Sequence, residues 1–105
     1  MNALTTRVRC YGSTLFIQEV AGGDLIIADG PFSLRVPAVT RQPLADVLVD
    51  PLPVNPVIRI GSVLAWVNTS TVTRVRSLIC GSFIFVVDAE SAERVAKILI
   101  EGVKP

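Results

Sequence analysis

The chain has 105 residues and a net charge of +1, half of its residues are hydrophobic, and its mean hydropathy is +0.58. That length fits one domain with one core and leaves no room for a second independent module. The near-zero charge excludes the global basic field of a typical nucleic-acid protein, and no apolar run is long enough for a membrane span.

The N-terminal residues Met1–Arg7 lack the apolar core of a signal peptide, so a cytoplasmic location is expected. High hydropathy with only 18% charged residues implies that some apolar surface is hidden between subunits or against a partner. Cys10 and Cys80 stand far apart without neighbouring ligands, which favours two core thiols over a disulfide or a metal site.

The expected fold is α+β and mostly β, with about six to seven strands in an antiparallel meander and hairpins, closed by one C-terminal helix. Thr6 to Tyr11 alternates, with Val8 and Cys10 on one face and Arg7 and Arg9 on the other. Gly12-Ser13 interrupts it, and Thr14 to Val20 reads as a buried strand. Gly22-Gly23 and Asp29-Gly30 are hairpin signals around Leu25–Ala28. Phe32, Leu34 and Val36 then alternate inward, which completes a meander over residues 1–36.

Five of the seven prolines lie between Pro37 and Pro56, so this stretch is not a central strand. Leu44 to Val49 has the length of a short helix near residues 43–49, with Pro43 in its first turn. The alternative is a long connection that packs on a neighbour as an arm. Strands resume over 57–88. Val57–Ile60 and Val63–Val67 flank Gly61-Ser62, Asn68-Thr69-Ser70 reads as a turn, and Thr71–Leu78 pairs with Phe83–Val87 around Cys80-Gly81. Phe83–Val87 is apolar throughout, so both of its faces are expected to be covered.

The last element is an amphipathic helix over 89–102. Asp88 is its N-cap, Ala92, Val95, Ala96, Leu99 and Val103 are its buried stripe, and Gly102 ends it. Glu90–Arg94 and Glu93–Lys97 have the spacing of helical ion pairs.

One echo runs through the chain. Thr6-Arg7-Val8-Arg9 and Thr73-Arg74-Val75-Arg76 carry identical residues, and each precedes Gly-Ser and an apolar-Phe-apolar run. It reads either as two related hairpins or as chance within the small alphabet of hairpins.

The absence of histidine removes the usual general base and the commonest metal ligand. Lys97 reads as a solvated partner of Glu93 rather than a buried base. Asp46 with Asp50, and Asp88 with Glu90, read as turn and cap residues rather than cation ligands, and no phosphate-cradling glycine motif is present. No catalytic residue, metal or cofactor is therefore expected.

Two binding chemistries remain. In the first, apolar strand surface around Leu64, Trp66, Phe83 and Phe85 forms an interface for self-association or for a protein partner. Inhibition of another protein is a variant of the same chemistry. In the second, Arg7, Arg9, Arg74 and Arg76 line a two-stranded ribbon that contacts nucleic acid. The opposing reading makes these arginines the solvated faces of ordinary strands.

The pattern Val67-Asn68, Val72, Val75, Phe85-x-Val87-Asp88 and Ala92-Glu93-x-Val95-x-x-Ile98-Leu99 is similar to a strand–hairpin–helix pattern of small uncharacterised phage and bacterial proteins. It covers about a third of the chain. The resemblance implies a phage or bacterial origin and brings no catalytic residues with it.

Overall fold

The computed structural model describes residues 4–10, 12–49, 57–70 and 72–103. Strands β1 (Leu4–Cys10), β2 (Ser13–Glu19), β3 (Leu25–Asp29) and β4 (Phe32–Val36) form one antiparallel meander, followed by helix α1 (Arg41–Val49). Strands β5 (Val57–Ile60), β6 (Val63–Thr69), β7 (Arg76–Cys80) and β8 (Phe83–Val87) form a second, followed by helix α2 (Ala89–Glu101). The chain is thus a ββββα unit made twice, with eight strands where the sequence suggested six to seven.

The strand registers establish the repeat. In the first unit Val8 faces Leu15, Ile17 faces Ile27, and Leu25 faces Val36. In the second, Ile58 faces Ala65, Val67 faces Leu78, and Arg76 faces Val87 at the same steps of the meander. The connection between β6 and β7 is one residue longer than that between β2 and β3. This repeat pairs β1 with β5 and β3 with β7. The Thr-Arg-Val-Arg echo instead superimposes β1 on the approach to β7, so it is out of phase with the architecture.

Equivalent elements touch each other: α1 packs on α2, and β4 approaches β8. That is the contact pattern of an isologous two-fold arrangement, here inside one chain. The inner faces of both sheets and the two helices enclose one core, which includes Leu15, Ile17, Leu25, Ile27, Leu44, Leu48, Leu78, Phe85, Val95 and Leu99. Much of the apolar surplus is therefore buried between the two halves.

Each element has a local cause. Helix α2 begins with a capping box: Ser91 N–H donates to Asp88 Oδ1 at 2.8 Å, and Asp88 N–H donates to Ser91 Oγ at 3.0 Å. The Ser91 N–H, and next the Ser91 hydroxyl donating to the same oxygen, hold the Asp88 carboxyl below the usual carboxylate range. Its stripe, Ala92, Val95, Ala96 and Leu99, is buried as the spacing requires, and Glu90 pairs with Arg94. Helix α1 starts two residues before Pro43, which sits in the first turn, where no intrahelical donor is needed. The two-residue turns at Gly30 and Gly81 hold positive φ, which favours glycine.

Several expectations change. Gly22-Gly23 lies in a short 3-10 turn over Ala21–Gly23 rather than in a two-residue hairpin. Phe32, at the start of β4, shares the inner face with Leu34 and Val36 but lies at its end and is exposed rather than buried. β7 begins at Arg76, because the Ser70 N–H donates to the Val75 carbonyl and the Arg74 N–H to the Ser70 carbonyl, which holds Arg74 and Val75 in the loop before the strand. Of the proline-rich stretch 37–56 read as a connection or arm, Ala38–Thr40 form a 3-10 turn and Arg41–Val49 form α1, whereas residues 50–56, like Tyr11 and Thr71, lie outside the described residues. Among the described residues no helix is long and apolar enough to cross a membrane.

Candidate functional site

The two sheets have equivalent inner faces and contrasting outer ones. Side chains directly opposite on adjacent antiparallel strands share a face. On the second sheet the pairs Val57–Trp66, Trp66–Ile79 and Ile79–Ile84 therefore form one unbroken apolar row across all four strands. The equivalent row of the first sheet is Arg7–Phe16–Ala28–Ser33. Leu64 and Val86 extend the apolar face of the second sheet, and Arg59 is its only charged residue. The outer face of the first sheet carries Arg7, Arg9 and Arg35.

Exposure follows this division. Trp66 is 47% exposed, Leu64 49%, Val57 54% and Ile84 53%. The expectation that both faces of β8 would be covered fails on this outer face. Of the four candidate interface residues, Leu64 and Trp66 lie on it. Phe83 and Phe85 point the other way, since odd-numbered positions of β8 face the core. Their rings meet edge to face with centroids 5.7 Å apart, which gives them a packing role.

The arginine ribbon is not assembled. Arg7 and Arg9 lie on β1 of the first sheet, whereas Arg76 begins β7 of the second and Arg74 sits in the loop before it. Arg74 has φ +61°, the left-handed region that non-glycine residues rarely adopt. Arg76 turns toward α1, and its Nη1 donates to the carbonyls of Leu48 at 2.7 Å and Val47 at 2.9 Å. A cation there satisfies the unpaired carbonyls at the helix C-terminus.

The repeat has a counterpart of that contact. Arg41 Nε donates to the Leu99 carbonyl at 2.7 Å, Nη2 to that of Ile98 at 3.4 Å, and Nη1 to that of Gly23 at 2.8 Å. Leu99 and Ile98 hold the same places in α2 as Leu48 and Val47 in α1. Each half thus contributes one arginine that closes the C-terminus of the other half's helix. Sequence reasoning missed Arg41. The available signal was a cation at the first position of a helix, where the dipole disfavours one unless it has another partner.

Glu19 completes the Arg41 end. Its Oε1 lies 3.7 Å from Arg41 Nη2 and accepts the Val103 N–H at 3.3 Å. Gly102 passes so close that a Cβ there would stand 2.7 Å from the same oxygen. The thiols of Cys10 and Cys80 are both free and buried, and burial pushes each above its ordinary range. Asp46 accepts from Gln42, and Asp88 is engaged by Ser91. Among the described residues no group of three metal-ligating side chains converges.

No protein family, curated protein or solved structure matches this chain, so its own geometry carries the functional argument.

Proposed function

We propose that the protein is a non-enzymatic assembly module that associates with a second copy of itself through the outer face of its second sheet. The observation that carries this reading is the row Val57–Trp66–Ile79–Ile84, half exposed at Val57, Trp66 and Ile84. Contiguous apolar patches of several hundred square ångströms mark interaction sites on otherwise polar surfaces.

Area and charge favour a second copy. The exposed parts of Val57, Leu64, Trp66, Ile79, Ile84 and Val86 supply on the order of 400 Å2 of apolar surface, about half of what a standard interface needs from each partner. Arg59, Asn68 and Ser77 supply a polar rim. A two-fold axis in the interface, parallel to the row, lays each row on its copy and puts the two Arg59 side chains on opposite sides of the row. No charge is then buried unpaired, which would be costly. An interface of this size belongs to the weak, transient class, with micromolar dissociation.

Trp66 is the only tryptophan in the chain, so its emission reports on that face alone. On dilution from millimolar to sub-micromolar protein, the emission should move to longer wavelength as water reaches the indole, with far-UV circular dichroism unchanged. Emission independent of concentration over that range refutes the reading.

A further inference from the structure

The two ends of the helix pair are equivalent positions of the repeated unit, and they are furnished differently. At one end, beside Gly102, the Arg41 guanidinium caps α2 and the Glu19 carboxylate sits next to it. At the other end lies a groove of about 440 Å3 between the C-terminus of α1, the N-terminus of α2 and the β6–β7 loop. The guanidinium is kept there, supplied by Arg76. The carboxylate is not, because Thr69 stands at the register position of Glu19. The bulk of Arg41 is also gone, because Ala92 stands at its position in α2. What results is an apolar floor of Leu48, Ala89 and Ala92 beneath two arginines, Arg74 and Arg76.

Among the described residues, Arg76 hydrogen-bonds only through Nη1, and the exposed Arg74 side chain makes no hydrogen bond. Two carboxylates also line the groove. Asp88 is engaged by Ser91, and Glu93 stands where the other end has Gln42. We propose that this groove binds a small organic monocarboxylate with an apolar body. Its carboxylate takes the place beside Arg76 and Arg74 that Glu19 takes beside Arg41, and its body lies on the Leu48–Ala92 floor. The volume is that of a small-molecule site, and guanidinium–carboxylate pairing supplies the orientation. The inference is independent of the self-association described above, which uses the opposite face of the sheet.

The test is a titration of the 15N-labelled protein with 4-phenylbutyrate and with its uncharged analogue 4-phenylbutyramide. The acid should shift the amides of Ser70, Arg74, Ala89 and Ala92 and saturate, with the amide binding about tenfold more weakly for loss of the charged pair. Arg74→Gln should weaken the acid by about the same factor, and the Arg7→Gln/Arg9→Gln double variant should leave it unchanged. Thr69→Glu supplies the missing carboxylate from within and should abolish binding while the spectrum stays dispersed. Equal binding of acid and amide, no shift with the acid at about 10 mM, or undiminished binding by folded Thr69→Glu overturns the proposal.

Discussion

Replacing Arg41 with methionine removes the guanidinium while keeping most of the side chain's length and apolar stem. The Arg41 side chain is only 16% exposed and donates to three carbonyls on two other elements. The Ile98 carbonyl keeps a partner in the Gly102 N–H, but those of Leu99 and Gly23 lose the guanidinium. A hydrogen bond from a charged donor contributes about 1.5–3 kcal/mol, and relief of arginine desolvation offsets part of two such losses. The net cost should be about 3 kcal/mol, a large share of the ~5–15 kcal/mol that stabilises a domain. For a chain of this size that corresponds to a melting point lower by about 15 °C. Guanidinium denaturation of Arg41→Met beside Arg94→Met is the assay. Arg94 pairs with Glu90 on the exposed side of α2, so its loss should cost only about 0.3–0.5 kcal/mol. A midpoint for Arg41→Met indistinguishable from that of Arg94→Met, at equal slope, would refute the claim that reciprocal arginines join the two halves.

Phe85→Ala should cost about 3–5 kcal/mol in the same assay, whereas Phe32→Ala, at a half-exposed ring, should stay within about 1 kcal/mol. The Asp88 carboxyl is held low first by the Ser91 N–H and next by the Ser91 hydroxyl, so its contribution is present above the unfolded value of 3.8 and is lost as pH falls through the folded value. Asp24, held low by the Ala38 N–H and Arg35, acts in the same direction. Melting temperature should therefore fall below about pH 4, and Asp88→Asn should melt lower at neutral pH with a shallower acid decline. Parallel pH profiles of the two proteins would count against the cap.

Much of the fold is legible along the chain because its signals are local. Asp29-Gly30 and Gly81 mark their turns, Pro43 lies in the first turn of α1, and Asp88 with the Ala92–Leu99 stripe defines α2. The repeat is not legible as identity, because it is conserved in burial and register: Leu15 corresponds to Ala65, Ile27 to Leu78 and Val36 to Val87. The identical Thr-Arg-Val-Arg words lie out of phase with it and serve different ends, since Arg7 faces outward and Arg76 caps a helix. The candidate face was half legible. An apolar run such as Val63–Val67 conceals its alternation, so nothing local tells the exposed Trp66 from the buried Val67, and Phe83 and Phe85 belong to the core. The capping contacts join residues far apart in sequence, which no windowed pattern can show.

The central claim is that the apolar outer face of the second sheet joins two copies. Sedimentation velocity of the wild-type chain and of Trp66→Lys across a concentration series tests it most directly. The wild type should show a monomer–dimer shift in the micromolar range, and Trp66→Lys should stay a folded monomer throughout. A wild-type protein that sediments as a monomer at every concentration, or a variant that associates equally well, would contradict it.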